Sequence, residues 1–137
     1  MCLYLRYKEE CVATSNIYVW KGLVGSVGCY YSPVFNYRYD VGETYKSYLD
    51  GNSISISIGL HSFGYNIRIL SPYAGRYDCY GSAYNRYNIW EPIDTIGLFI
   101  IPKGSHYYTD GYFYASDTLK LLRTLPKDEF FNYMMNR

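Results

Sequence analysis

Residues 96–108 constrain the fold more than any other stretch of the chain. Ile96, Leu98, Phe99, Ile100 and Ile101 form an apolar run of strand length, and β-branched and aromatic side chains favour a pleated, buried backbone. Pro102 must end that strand, because proline has no N–H to give to a ladder. Lys103-Gly104-Ser105 then supplies the turn, with Gly104 free to adopt positive φ. His106, Tyr107 and Tyr108 restart an extended segment, and Thr109-Asp110-Gly111 breaks it again. A tight connection of this kind places Lys103, Ser105 and His106 at a sheet edge or the rim of a cleft, with Tyr107 and Tyr108 beside them.

The rest of the chain reads in the same way. Cys2 to Tyr7 is a short edge strand, and Ile17-Tyr18-Val19-Trp20-Lys21-Gly22 is a second strand that delivers Lys21 at its end. Gly22, Gly25 and Gly28 mark a flexible loop, since no Gly-Lys-Ser/Thr ending follows as a phosphate-cradling loop requires. Val34 to Tyr39 alternates as a strand does, Asp40-Val41-Gly42-Glu43 turns, and Thr44 to Tyr48 is expected to pair back on it. Ser53-Ile54-Ser55-Ile56-Ser57-Ile58 is the cleanest period-2 run, with isoleucines on one face and serines on the other. Beyond it, Gly59-Leu60-His61-Ser62-Phe63 is read as a strand end that presents His61 and Ser62 at a rim.

Towards the C-terminus, Tyr112 to Ser116 and Thr118 to Arg123 form one broken strand or two short ones. Pro126 to Met135 reads as a terminal helix with Pro126 at its first position, acids in its first turn and Phe130, Phe131, Met134 and Met135 on one face. The sum is a single α+β domain over residues 1–137, mainly antiparallel sheet with a C-terminal helix.

Composition narrows the function. The net charge is +1, which argues against a nucleic-acid partner, since phosphate-backbone binding calls for a basic surface. Tyrosine is the outlier at 20 copies; its apolar body and hydroxyl suit half-buried strands, stacking on rings and subunit interfaces, so a homo-oligomer is a reasonable expectation. Residues 71–90 interleave Tyr73 and other tyrosines with Gly, Ser, Asn and two arginines, a composition of adaptable, aromatic-anchored binding loops.

Cys2, Cys11, Cys29 and Cys79 form no CxxC pair and match no zinc spacing, and with only His61 and His106 as histidines no metal site is expected. Free thiols, no secretory pattern and no apolar stretch near the about 20 residues that span a bilayer lead to the expectation of a cytoplasmic protein without a membrane partner. No cofactor is expected.

Tyr18-Val19-Trp20-Lys21, Ser32-Pro33, Gly59-Leu60-His61-Ser62, Ile100 to Tyr108 and Tyr114-Ala115-Ser116 together resemble a group of short, uncharacterised proteins encoded by phages and prophages. The resemblance covers most of the chain except residues 71–90 and brings no activity with it. A fainter likeness is to the ADP-ribosyltransferase fold, in which an aromatic-basic strand end, a Ser- or Tyr-bearing strand and a Pro-x-Gly-Ser/Thr turn before a catalytic glutamate surround NAD. Trp20-Lys21, His61-Ser62 and Pro102 to Ser105 would take those places. No glutamate occurs between Glu91 and Glu129, so Asp117 would have to substitute for the acid.

These readings imply a noncatalytic protein that sequesters a small nucleotide-derived immune messenger, with Tyr18, Lys21, His61, Ser62, Tyr73, Lys103, Ser105, His106, Tyr107 and Tyr108 around the ligand. In that arrangement tyrosine stacks on the base, while backbone amides and a few cations hold the phosphates. The alternatives are an NAD-using transferase and an inhibitor that binds a host protein through its tyrosine surface.

Overall fold

A computed structural model describes residues 3–4, 10–26, 29–31, 38–49, 55–56, 59–66, 94–109 and 113–136. It shows an antiparallel β-sheet with a short C-terminal helix. The axis of the sheet is β3 (Ile17–Ser26), which pairs along its length with β9 (Thr95–Ile101), from Ile17↔Ile101 to Leu23↔Thr95. β12 (Thr118–Pro126) lies on the far side of β9, and β6 (Thr44–Lys46) lies beyond β12.

The other edge of β3 is divided. Val19 and Trp20 pair with β8 (Leu60–Gly64), whereas Val24 to Ser26 pair with β4 (Cys29–Tyr31), which leads to β5 (Arg38–Tyr39). From β8 the sheet continues through β11 (Phe113–Ser116) and β10 (His106–Thr109) to β2 (Cys11–Val12). β1 (Leu3–Tyr4) and β7 (Ser55–Ile56) form a separate two-stranded ladder.

Strand alternation gives the sheet two faces. The first carries Val19, Leu23, Phe99, Ile101, Leu119 and Leu121, all buried in one core cluster. The segment from β5 to β6 closes over that face. Tyr39 packs edge-on against Phe99 at 5.1 Å and Tyr45 at 4.9 Å, while Gly42 N–H donates to the Leu121 carbonyl at 2.8 Å. Gly42 has φ +90°, so the chain reverses there without the clash a side chain would meet.

The second face carries Trp20, Phe63 and Leu98, and α1 (Lys127–Met135) lies on part of it. Phe130 of the helix meets the Trp20 ring at 4.9 Å and Phe63 at 6.4 Å, and Tyr65 stacks on Trp20 at 5.3 Å. A bulge between Leu121 and Arg123 shifts the register of β12, so that Arg123 pairs with Leu98 and Leu125 with Ile96 on the helix-covered face.

Four expectations need correction. Gly22 to Ser26 is strand, not loop, because the glycines admit close neighbours: a Cβ on Gly25 would lie 3.0 Å from Thr95 Oγ1, and Gly25 N–H donates to Asp94 Oδ1 at 2.7 Å. β6 pairs with β12 rather than with β5, the described end of the preceding segment, and Gly42 N–H and the Glu43 carbonyl also bond to Leu121 of β12. His61 and Ser62 lie inside β8, flanked by β3 and β11, rather than beyond a strand end. Pro126 is the last residue of β12 and caps the helix from outside, with φ −55° and ψ 145°.

Most of the Ser53 to Ile58 run, Val34 to Tyr37, Tyr112, residues 71–90 and the side chains of Phe131, Met134 and Met135 lie outside the described residues, as do Cys2 and Cys79. Cys29 is a half-buried free thiol.

Gly97 exposes how tightly the first face is filled. A Cβ there would stand 2.6 Å from Phe99 Cε2, 3.0 Å from Leu23 Cδ1 and 3.1 Å from Leu121 Cδ1. Gly97→Ala therefore destabilises the fold by about 1–3 kcal/mol through overpacking, seen as a lower urea midpoint at unchanged slope; an unchanged or raised midpoint contradicts this packing.

Candidate functional site

The helix leaves the far end of the second face open, and an open cleft of about 600 Å³ lies there. Its floor follows from register. Ile100 of β9 pairs with Lys120 of β12, which pairs with Thr44 of β6, and Thr118 pairs with Lys46 in the next row. The wall is the turn after β9, Pro102-Lys103-Gly104-Ser105, with Asn16 and Asp117 beside it.

That turn is held firmly. Ser105 N–H donates to the Pro102 carbonyl at 3.0 Å, and Gly104 takes φ +91°, as a turn with a left-handed third residue requires. Gly104 N–H donates to Ala13 O at 2.8 Å and Lys103 N–H to Asn16 Oδ1 at 2.9 Å. All three turn amides are thus engaged within the protein. The cationic residues that line the cleft are Lys46, Lys103 and Lys120.

Asp117 sits where β11 passes into β12. Its Oδ1 accepts from His106 N–H at 3.1 Å and from Thr118 Oγ1 at 2.9 Å, and its own N–H donates to the His106 carbonyl at 3.0 Å. The carboxylate fastens the start of β10 to the start of β12. Among the described residues that line the cleft, three lysines stand against one carboxylate, a positive balance.

The residues singled out from sequence fall into separate places. Lys103 and Ser105 line the cleft, Lys103 exposed and Ser105 buried in the turn. Tyr18 is not part of the lining, but it pairs directly with Ile100, which is, and it is 51% exposed. His106 is exposed on β10, its Nδ1 3.7 Å from Glu10 Oε1. Tyr107 packs against the core and the Tyr114 ring at 5.8 Å, and burial pushes its hydroxyl pKa upward, with the neighbouring Cys11 adding to the rise. Tyr108 is half-buried on β10. Tyr73 lies outside the described residues.

Lys21, His61 and Ser62 meet elsewhere. Lys21 alternates with Val19 and Leu23, so its side chain belongs to the first face, where it is 4% exposed. Its Nζ donates to the His61 carbonyl at 2.8 Å and lies 5.9 Å from the centre of the Tyr39 ring, within cation–π range. This is the point at which β3 parts from β8 and has not yet joined β4. Lys21 bridges the fork with a side-chain hydrogen bond. Ser62 is 0% exposed, and its Oγ has no hydrogen-bond partner among the described residues.

Lys46, Lys120, Thr44 and Asn16 were missed from sequence. A signal existed for one of them: Thr118-Leu119-Lys120-Leu121 alternates polar with apolar, which puts Lys120 on one face together with Thr118. Nothing local could show that β6 would bring Thr44 and Lys46 beside them. Among the described residues no group of His, Cys, Asp and Glu is placed to hold a metal ion, and no helix is long and apolar enough to cross a membrane.

The fork and the buried hydroxyl predict opposite effects. Lys21→Met leaves the His61 carbonyl without this donor and lowers stability by about 1–3 kcal/mol, whereas Ser62→Ala removes an unpartnered buried hydroxyl and raises it by about 1 kcal/mol. Denaturant midpoints that move in the same direction contradict this account. Comparison with known proteins found no matching family, no similar curated protein and no similar solved structure.

Proposed function

We propose that the protein is a noncatalytic binder of a small phosphorylated ligand, held in the cleft beside the Pro102 to Ser105 turn. The observation that carries this reading is the convergence of Lys46, Lys103 and Lys120 from three different segments on one open cleft. Lysine ammonium groups at such a rim attract phosphate oxygens as point charges and make charge-assisted hydrogen bonds to them. The single carboxylate, Asp117, is engaged by the His106 amide and the Thr118 hydroxyl.

This geometry supports binding over NAD-using transfer. The transferase reading needs Trp20-Lys21 and His61-Ser62 around the same ligand as the turn. Trp20 instead packs beneath Phe130 and Tyr65, and Lys21 is buried on the opposite face of the sheet. Asp117 at the cleft is what remains in favour of that second reading.

The narrower form of the proposal is sequestration of a nucleotide-derived immune messenger in the cytoplasm of an infected cell. The resemblance to short phage and prophage proteins suggests only the setting for it and carries no activity. The lysine cleft supplies a place for the phosphates.

Isothermal titration with pyrophosphate tests the reading. Binding is expected at low ionic strength and weakens as salt screens the exposed lysines. Lys103→Glu with Lys120→Glu lowers the affinity by about tenfold or more. Absence of binding at low salt, or equal binding by the double variant, contradicts the proposal. Asp117→Asn, which keeps an oxygen acceptor for His106 and Thr118, leaves binding within about twofold or strengthens it by removing a negative charge.

A further inference from the structure

The lysines account for an anion, but the row of side chains that crosses the cleft floor continues past them. Tyr18, Ile100, Lys120 and Thr44 are consecutive cross-strand partners on β3, β9, β12 and β6. They therefore share one face and stand in line across four strands. Tyr18 and Lys120 are separated by two strand spacings, about 10 Å, with Ile100 between them. Tyr65 meets the Tyr18 ring edge-on at 6.2 Å, which fixes its attitude, while half of the side chain stays exposed.

Tyr18 is unusual in this position. Trp20, the next residue on the same face of β3, is 0% exposed beneath the helix, whereas Tyr18 is 51% exposed and pairs with Ile100, which lines the cleft. An exposed aromatic face, an apolar side chain and an ammonium group in line match a ligand with a flat ring at one end and a phosphate at the other. A bare inorganic ion would use the lysine end alone.

Resting on the reading of the cleft as a phosphate site, we infer that its ligand is a nucleoside phosphate whose base lies on Tyr18, whose sugar crosses Ile100 and whose phosphates reach Lys120 and Lys103. Stacking on one tyrosine tolerates any base, because every base offers a π face. The site selects the class of ligand by the distance between ring and charge, and Tyr18 is its specificity-determining residue.

Calorimetric titration of ADP and of pyrophosphate into the wild type, Tyr18→Leu, Tyr18→Phe and Lys120→Glu tests this inference. ADP is expected to bind at least about fivefold more tightly than pyrophosphate. Tyr18→Leu removes that advantage and leaves pyrophosphate binding unchanged, Tyr18→Phe retains it, and Lys120→Glu weakens both ligands. Equal affinity for ADP and pyrophosphate, with Tyr18→Leu neutral towards both, overturns the ring platform while the phosphate site stands. Failure of both ligands to bind the wild type overturns the two together. Because Tyr18 is half-exposed, its variants fold, and unchanged circular dichroism checks that they do.

Discussion

The pairing of β3 with β9 is the constraint on which the rest of the structure depends. Ile17 to Leu23 run against Ile101 to Thr95 without a break, and every neighbouring element is placed by one edge or one face of that ribbon. On the β9 side the sheet extends to β12 and β6; on the other side β3 is shared first with β8 and then with β4. A strand divided in this way sends its two neighbours in different directions. One branch reaches β11, β10 and β2, and the other curls through β4 and β5 so that Tyr39 closes the core. Lys21 sits at the division, and its bond to the His61 carbonyl replaces a ladder contact the backbone cannot make there.

The two faces of the ribbon consequently have different roles. The first is filled by Val19, Leu23, Phe99, Ile101, Leu119 and Leu121, with tyrosines around the margin. Close packing leaves no room at Gly97 for even a methyl group. The second face is sealed only where α1 lies. Aromatic contacts from Trp20 to Phe130, Tyr65 and Tyr133 fix the helix there, and beyond it Tyr18, Ile100, Lys120 and Thr44 face outwards. The cleft is thus a consequence of a nine-residue helix lying on a wider sheet.

Much of this was legible in local sequence, and the remainder has a physical reason for being hidden. The Ile96 to Tyr108 unit was readable because a β-branched run, a proline and a glycine act within a few residues of one another. The C-terminal helix was readable because of its first-turn acids and its apolar spacing. Gly25 misled because glycine signals a loop by its freedom, whereas here its missing side chain lets Asp94 and Thr95 approach the strand. Lys21, His61 and Ser62 looked like rim residues because chemistry-bearing side chains stood near supposed strand ends. The actual ends lie further on, at Ser26 and Gly64, and the three residues fall within the sheet. Lys120 and Lys46 gave no sign of joining Lys103, because their meeting depends on β12 and β6 pairing across long sequence separations.

The most direct test of the central claim is a map of amide chemical shifts during titration of the isotopically labelled protein with ADP. The account predicts saturable shifts at Tyr18, Ile100, Lys103, Gly104 and Lys120, with Lys21, Ser62 and Leu119 little changed. Shifts centred on Lys21 and Ser62, with the residues of the lysine cleft unmoved, would place the ligand on the opposite face of the sheet and contradict it.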